Sequence, residues 1–480
     1  MHGDASRLEP LADRAPMNAQ LCTDLAKGPT LAVQVGCTLN VHGRHRNDGP
    51  RILSGDRTFR LSPQPRGRER EMEDAHGSSG TVQQPGASGP PTIDVATPAK
   101  LIEELNRATA GVTIHLRSGE YEVDQPLLVR DGVTLQGEGV MQPVQGLPVG
   151  FMQGTKTAII GKRDLAGNLL TLSDGSKVEK LVLQGPNKFK EDLLGPIGGN
   201  VIAVASRRKD DSVSATIDKC ELINNLKSGG GTDGPTGGAI LAYTRNPNRD
   251  AAPLPHEDAN VTVTVTQSIV DTHRDGKAVF AMNFASGATV TVELKNSVVR
   301  GPLDVIGGLS RPDAVSNAKT KITSHGNHYS PQPGSYVEAW KIVGGSTPPF
   351  PAGPNSNSDS NTAIVESTDD RIEDFQVGIR AIGGRQLLPG GSTCSHNTVN
   401  LKLTRMKPAA NPAATDFDFV GAQSPEALPA GVNNAVVVEV LVVGTPPDRL
   451  FHIDVHDVGF GTGNQLAFEG TLAAITQLSP

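Results

Sequence analysis

The stretch TPAKLIEELNRATAGVTIHLRSGEYEVDQPLLVRDGVTLQGEG, residues 97–139, decides how this chain folds. Thr97 is a good helix N-cap, and Pro98 suits the first helical position, where its missing N–H costs nothing. The sequence therefore predicts a short amphipathic helix. Its apolar face is formed by Leu101, Ile102, Leu105 and Ala108.

Strands are predicted directly after this helix. Gly111 can supply a left-handed residue at the helix end, and residues 112–117 (VTIHLR) alternate apolar and polar side chains, which is strand periodicity. Two further strands end in Gly-x-Gly at residues 137–139. A helix in this place would cover the open end of a parallel sheet, an edge that otherwise promotes aggregation.

A repeat follows from about residue 200, in which two strand types alternate. The first type is SATIDKCELINN (214–225), TVTVTQSIVDTH (262–273), TVTVELKNSVVR (289–300) and AKTKITSHGNHY (318–329). We align Cys220, Ser268, Ser297 and Asn327 as equivalent positions. The later copies recur after about 30 residues, a period typical of solenoid proteins.

The second strand type lies between copies of the first: GNVIAVAS (199–206), GGAILAYT (237–244), KAVFAMNF (277–284) and LDVIGGLS (303–310). Regular alternation of β-branched residues with Thr, Asn and Ser suits stacked parallel strands. A doubly wound α/β fold would need helical segments between the strands. We find none after residue 110.

A capping helix followed by such a solenoid resembles the right-handed parallel β-helix (pectate-lyase-like) superfamily. The resemblance implies an all-β fold, a right-handed parallel β-helix solenoid with an N-terminal capping helix. The superfamily includes polysaccharide lyases, glycoside hydrolases, pectin esterases, alginate epimerases and non-catalytic proteins. Its members are usually extracellular or periplasmic, but no signal-peptide pattern follows Met1.

Composition separates the chain into two regions. Residues 1–91 lack periodicity and end in a Gly/Ser/Pro-rich linker, which predicts a disordered region or a misassigned start; residues 92–480 form the predicted β-helix domain. The net charge of -7 gives no indication of a nucleic-acid partner, and no apolar run is long enough to cross a membrane. The cysteines form no CxxC pair, and Cys220 and Cys394 are expected to be small buried residues.

Polar residues at the strand ends are the candidate site, because loops that leave equivalent strands stack into one surface. Ends of the first strand type supply His273, Arg274, Arg300, His328 and Tyr329, and ends of the second supply Tyr243, Arg245, Asn283 and Arg311. The asparagines at turns, Asn224, Asn225, Asn296 and Asn327, are expected to be structural.

These residue types suit a lyase acting on a uronate-containing polysaccharide or oligosaccharide. The predicted base is His273 or Arg300, and the predicted acid is Tyr243 or Tyr329. Arg311 or Arg245 would neutralise the uronate carboxylate. Arg274, Asn283 and His328 are predicted to bind substrate. Two alternatives stay open: a non-catalytic glycan-binding or structural β-helix, and an enzyme acting on a small metabolite.

Subfamily motifs do not narrow the choice. DVHD (454–457) is similar to the Asp-Pro-His-Asp signature of mannuronate epimerases, but Val455 replaces the proline. The signatures of polygalacturonases and calcium pectate lyases are absent. No cofactor or metal is predicted, since the acidic and histidine residues of HEDAN (256–260) are adjacent in one loop.

Deletion of residues 1–90 should leave the stability of the remaining domain unchanged within about 1 kcal/mol, because unpacked segments contribute little to folding. Thermal melts of the full chain and the truncated chain measure this. A large fall in melting temperature, or resistance of the segment to proteolysis, would contradict the predicted domain boundary.

Overall fold

The fold is given by a computed structural model. It describes residues 90–185, 199–206, 208–224, 238–244, 258–272, 276–310, 314–331, 338–347, 357–386, 393–406, 414–423, 433–441, 451–456, 465–470 and 475–479. Helix α1 spans Pro98–Arg107. The first strands are β1 (Thr92–Val95), β2 (Thr113–Leu116), β3 (Gly119–Val123), β4 (Leu127–Val129), β5 (Thr134–Gly137), β6 (Met141–Val144), β7 (Leu147–Phe151), β8 (Thr157–Gly161), β9 (Leu170–Leu172), β10 (Ser176–Glu179), β11 (Val182–Gln184) and β12 (Ile202–Ser206).

The middle strands are β13 (Ser212–Asp218), β14 (Glu221–Asn224), β15 (Gly238–Thr244), β16 (Asn260–Thr266), β17 (Ile269–Thr272), β18 (Lys277–Asn283), β19 (Thr289–Lys295), β20 (Val298–Arg300), β21 (Leu303–Leu309), β22 (Val315–Ser316), β23 (Lys319–His325), β24 (His328–Ser330) and β25 (Glu338–Ser346). The last strands are β26 (Ser358–Asp359), β27 (Thr362–Thr368), β28 (Arg371–Ile372), β29 (Val377–Arg385), β30 (Cys394–Ser395), β31 (Thr398–Thr404), β32 (Thr415–Gln423), β33 (Ala435–Leu441), β34 (Phe451–His456), β35 (Gln465–Gly470) and β36 (Ile475–Ser479).

Three parallel sheets run along the length of the molecule. Sheet A has the order β1-β2-β5-β10-β13-β16-β19-β23-β27-β31-β33-β35, sheet B has the order β28-β24-β20-β17-β14-β11-β8-β3, and sheet C has the order β36-β34-β32-β29-β25-β21-β18-β15-β12-β9-β4. Along the middle of the chain each coil adds one strand to A, then B, then C, so neighbours in a sheet belong to successive coils, or rungs. Since crossovers between parallel strands are almost always right-handed, the chain is a right-handed parallel β-helix, as the sequence predicted.

One hydrophobic core fills the inside of the solenoid, and alternation along each strand decides which side chains enter it. In β19, Val290, Val292 and Leu294 are buried in the core, while the threonines and charged residues between them face outwards. Equivalent positions on successive rungs are in exact register, as the pairing of β16 with β19 shows. A position in one rung therefore becomes a column of stacked side chains running along the solenoid.

Helix α1 covers the first rungs, which confirms the predicted cap. The Thr97 hydroxyl accepts a hydrogen bond from the Lys100 N–H at 3.3 Å, and Pro98 begins the helix. Leu101 and Leu105 are buried in the core. The helix ends at Arg107, and Gly111 adopts a φ of 84° in the turn that leads to β2.

The connection from sheet A to sheet B is a sharp corner with one left-handed residue. Gln267, Asn296 and Gly326 occupy this place on successive rungs, with φ values of 46°, 49° and 64°. The sequence analysis predicted two strand types per rung, and this prediction was wrong because each rung has three strands. The first type is continuous in sequence, but the corner divides it into one strand of sheet A and one of sheet B.

The next residue at each corner belongs to a ladder that the sequence alignment predicted correctly. The N–H of Cys220 donates to the Ser268 hydroxyl at 3.0 Å, the N–H of Ser268 to the Ser297 hydroxyl at 3.1 Å, and the N–H of Ser297 to Asn327 Oδ1 at 2.8 Å. The N–H of Asn327 continues the ladder by donating to Asp370 Oδ1 at 2.8 Å. Each side chain thus satisfies a buried backbone donor of the rung before it.

The structural roles expected of the turn asparagines are also found. Asn296 is left-handed, and Asn327 is buried within the ladder. The Asn224 side chain donates to the carbonyls of Gly199 and Gly238 at 2.9 and 2.7 Å. Asn225 lies outside the described residues, as do residues 1–89 of the predicted N-terminal region.

Two smaller sheets complete the fold, and the first is a short parallel sheet of β22, β26 and β30. Strands β6 and β7 form an antiparallel hairpin that projects from the early rungs and lies against β17 and β20. Cys220 and Cys394 are free and buried, and burial raises the pKa of each thiol to about 12. In the described part of the chain no helix is long and apolar enough to span a bilayer.

Replacing Asp370 by asparagine should stabilise the protein at neutral pH. Burial raises the pKa of this carboxyl despite its hydrogen bonds from Ser324, Ser367 and Asn327. A raised folded-state pKa favours folding in acid, and this contribution is lost as the pH rises past the ordinary carboxyl range towards the raised value. Asparagine keeps the Oδ1 acceptor without the charge.

Denaturant unfolding of the parent and of Asp370→Asn, from acid pH to neutral pH, measures the effect. The two proteins should be equally stable in acid, and the variant should gain relative to the parent as the pH rises. A variant that is less stable than the parent at neutral pH would mean that the ionised carboxylate itself strengthens the ladder.

Candidate functional site

Sheet C differs from sheet A because both of its faces are buried in some of its middle strands. All seven residues of β15 and all seven of β21 are buried, whereas β13 in sheet A alternates buried and accessible residues. The connections on both sides of sheet C are also long, as between Asn224 and Gly238 and between Thr244 and Asn260. Long loops on a rigid scaffold are where functional groups concentrate.

The outer face of sheet C carries a column of charged residues, which we name the charge column. Asp304, Lys341, Arg380 and Asp418 occupy the same position on four successive rungs. Adjacent members are therefore separated by about 4.8 Å of strand spacing. The backbone of Asp454 continues the register one rung beyond Asp418.

Ion pairs join members of the column to each other and to charged residues beside it. The Lys277 ammonium lies 2.7 Å from Asp304, and Arg380 Nε lies 2.6 Å from Asp418. Arg380 also pairs with Glu338. Asp304 and Asp418 are 6% and 4% exposed, so these charges lie in an environment where attraction is screened much less than at a surface.

Burial and the neighbouring charges set the protonation of the column. Burial alone would raise the pKa of Asp304, but the positive charges of Lys277, Lys341 and Arg385 outweigh it and lower the pKa. The pKa of Lys341 is lowered, first by burial and then by Arg385, although Asp304 acts in the opposite direction. The column thus combines an ionised carboxylate with a lysine that loses its proton more easily than usual.

An apolar column lies two residues further along the same face. Its members are Tyr243, Met282, Ile306, Val343, Ile382 and Val420. The ring of Tyr243 packs edge-on against Phe284 with centroids 6.2 Å apart. The outer face of sheet C therefore presents a polar column beside an apolar one, which is the composition of many small-molecule sites.

Tyr243 is a residue that the sequence predicted for the site, and it lies on this face. It is three rungs from Lys341, or about 14 Å at the usual strand spacing. Tyr243 is 7% exposed, so little of its side chain is accessible, and it does not lie near enough to Lys341 for the two side chains to act together on one group.

Two other predicted residues lie inside the solenoid, contrary to the expected surface positions. The Tyr329 hydroxyl is 2.8 Å from the Ser324 hydroxyl, and the ring packs edge-on against Trp340 with centroids 5.0 Å apart. Asn283 donates to the Lys319 carbonyl at 2.7 Å and to the Thr320 hydroxyl at 3.1 Å. Both are completely buried, so neither can contact a glycan outside the solenoid.

Arg300 and His328 lie together on the outer face of sheet B, on adjacent rungs. Arg300 pairs with Asp271 at 3.1 Å, and His328 Nε2 lies 2.8 Å from Glu373. Nearby, burial raises the pKa of Glu221, and the charge of Asp271 adds to this effect while Lys156 and Arg300 oppose it. This group, the sheet B cluster, is more accessible than the charge column.

Four predicted site residues, Arg245, His273, Arg274 and Arg311, lie outside the described residues. Among the described residues, no group of three or more His, Cys, Asp or Glu side chains could hold a metal ion. The described part of HEDAN is Asp258, Ala259 and Asn260, of which Asp258 is a left-handed corner residue with a φ of 60°.

The charge column was missed, although the sequence carries a signal for it. The hexapeptides LDVIGG (303–308), WKIVGG (340–345), IRAIGG (379–384) and FDFVGA (417–422) align with the charge at the second position. The glycines allow close packing, because a Cβ on Gly307 would lie 2.2 Å from the Gly344 carbonyl oxygen. A repeated charge inside a strand, rather than at its end, is the pattern that could have revealed the column.

Comparisons with known proteins add a distant structural likeness. No protein-family model matches the sequence, and no curated protein matches it. Among solved structures the chain is similar to a polygalacturonase from Erwinia carotovora ssp. carotovora, with 11% identity and a TM-score of 0.25, over 84% of this chain and 100% of that one. A TM-score this low assigns no activity, and the fold assignment rests on the parallel sheets themselves.

Proposed function

We propose that this protein is an enzyme that cleaves a uronate-containing glycan by β-elimination on the outer face of sheet C. The observation that carries the proposal is the charge column, in which Lys341 stands between Asp304 on one rung and Arg380 on the next. A base and a carboxylate-binding cation at one rung spacing are what this reaction needs. The rung spacing also approximates the length of one sugar unit.

Arg380 is the group that suits recognition of the substrate. Its side chain keeps 31% of its surface exposed, and its planar guanidinium already pairs with the carboxylates of Glu338 and Asp418. Such a fork can hold both oxygens of a carboxylate at once. A uronate carboxylate bound there would place its adjacent carbon towards Lys341.

Lys341 is the group that suits proton transfer. Its lowered pKa increases the uncharged fraction that can act as a base. The amine takes the proton from the carbon beside the carboxylate, the electron pair of that C–H bond forms a C=C bond, and the bond to the glycosidic oxygen breaks. The ammonium then returns the proton to the leaving oxygen, while Arg380 stabilises the charge that develops on the carboxylate.

A non-catalytic β-helix is the second candidate, and the burial of the column favours it. Lys341 is 8% exposed and Asp418 is 4% exposed. Buried ion pairs can serve conformational specificity instead of chemistry. Under this alternative the charge column would keep the rungs of sheet C in register, and any glycan would be bound elsewhere.

Replacing Lys341 by methionine should reduce cleavage of uronate polymers by about 10²- to 10⁴-fold, the usual contribution of a general base. The rate of the parent should rise with pH as Lys341 loses its proton. The assay follows the ultraviolet absorbance of the unsaturated product and, in parallel, new reducing ends. Lys321→Met is the matched control, since Lys321 pairs with Glu366 on the outer face of sheet A.

Arg380→Gln should raise KM more than Lys341→Met does, because it removes the carboxylate partner rather than the base. If new reducing ends form without the ultraviolet absorbance of an unsaturated product, the reaction is hydrolysis and the proposed elimination is wrong. Loss of activity in Arg300→Ala and His328→Ala, with full activity in Lys341→Met, would move the site to the sheet B cluster. Cleavage of no polymer in the panel would favour the non-catalytic alternative.

A further inference from the structure

A cleft of about 570 Å³ lies at the early A-to-B corners, away from sheet C. It is lined by His115, Gln136, Gly137, Glu138, Gly139, Val140, Met141, Lys180 and Lys219. Its volume is within the range of sites that bind small molecules. The Gly-x-Gly that ends β5 forms part of the lining, and the proposed chemistry on sheet C leaves that motif unexplained.

The glycines of this motif shape the cleft because they bring the chain against the next corner. A Cβ on Gly137 would lie 2.4 Å from the Lys180 carbonyl oxygen, and one on Gly139 would lie 2.5 Å from the Phe151 ring. Neither position has room for a side chain. The chain between α1 and the hairpin is therefore held close to the corner, with Glu138 projecting between the two glycines.

Two lysines occupy equivalent corner positions on adjacent rungs. Lys180 and Lys219 are both left-handed, with φ values of 57° and 52°. Their backbones are therefore separated by about one strand spacing of 4.8 Å. Two ammonium groups on neighbouring rungs of one cleft create a positive potential that attracts an anion.

The acidic groups near the cleft are already satisfied by other partners. The Glu138 carboxylate accepts from the Ser118 N–H and hydroxyl at 2.7 and 2.8 Å, and these hydrogen bonds hold its pKa below the usual range. Asp218 accepts from the Thr266 hydroxyl at 2.5 Å and lies 3.7 Å from Lys219. Among the described residues, no ion pair or side-chain hydrogen bond involves the Lys180 ammonium.

The lining of the cleft also includes an apolar edge. It is formed by Val140, which is 47% exposed, and by Met141, the first residue of hairpin strand β6. Gln136 also lines the cleft, and its amide donates to Glu179. A cleft lined by ammonium groups, polar side chains and apolar side chains suits an acidic sugar, which has a carboxylate, hydroxyls at its rim and C–H groups on its faces.

We propose that this cleft binds one carboxylate-bearing sugar unit, with Lys180 and Lys219 at the carboxylate and the Val140–Met141 edge against the ring. The choice of a uronate rests on the proposed function. The cleft residues are different from those of sheet C, so sugar binding in the cleft and catalysis on sheet C can be disproved independently. A bound unit here would hold an acidic glycan at a second point beside the hairpin.

The experiment uses the full chain with isotope-labelled histidine and follows the ring signals of His115, assigned by His115→Gln. D-galacturonate is titrated in, and its neutral methyl ester serves as the matched ligand. The acid should shift the His115 signals saturably, and the ester should bind at least about tenfold more weakly, because a charged hydrogen bond contributes that much.

Lys180→Met should weaken galacturonate binding by about tenfold, with an unchanged melting temperature. Lys162→Met is the control, since Lys162 pairs with Asp124 outside the cleft. Equal binding of the acid and the ester, no saturable shift of His115, or full affinity in Lys180→Met would each overturn the proposal. None of these readouts depends on whether the protein cleaves a polymer.

Discussion

The structure depends on the hydrogen bonds that the buried backbone N–H groups make at the corner between sheets A and B. Each corner turns through one left-handed residue, and the N–H that follows it is buried. Ser268, Ser297, Asn327 and Asp370 each accept such an N–H from the rung before. A slip of one residue would leave these donors unsatisfied and would also turn every core residue of sheet A outwards.

This fixed register is what turns separate strands into functional surfaces. Asp304, Lys341, Arg380 and Asp418 are far apart in sequence, but exact pairing places them in one line. The glycines after each charged residue serve the same end, since Gly308, Gly345 and Gly384 leave room for the stacked side chains of Asn361, Asn397 and Asn434. These asparagines, each of which precedes a strand of sheet A, form a second ladder. The Asn361 N–H donates to Asn397 Oδ1 at 3.0 Å, and the Asn397 N–H donates to Asn434 Oδ1 at 2.9 Å.

The sequence could predict the cap, the rungs and the corner ladder because each depends on local signals. Thr97 and Pro98 mark a helix start by their own chemistry, and Ser268 and Ser297 follow a turn in every copy. The site residues were harder to predict, because strand-end residues were chosen without regard to the direction in which their side chains point. Tyr329 follows His328 directly, and strict alternation turns the histidine outwards and the tyrosine into the core.

The charge column is difficult to explain as a device for stability alone. The adjacent apolar column, with Ile306 and Val343 on the same rungs as Asp304 and Lys341, shows that this face accepts hydrophobic side chains. Replacing buried ion pairs by well-packed apolar residues is often neutral or stabilising, because desolvation of the charges offsets their attraction. A face that could be wholly apolar but carries four aligned charges therefore bears a cost in folding free energy. Chemistry on a charged substrate would explain why the charges are present. Such chemistry needs the same low dielectric that makes the charges unfavourable for folding.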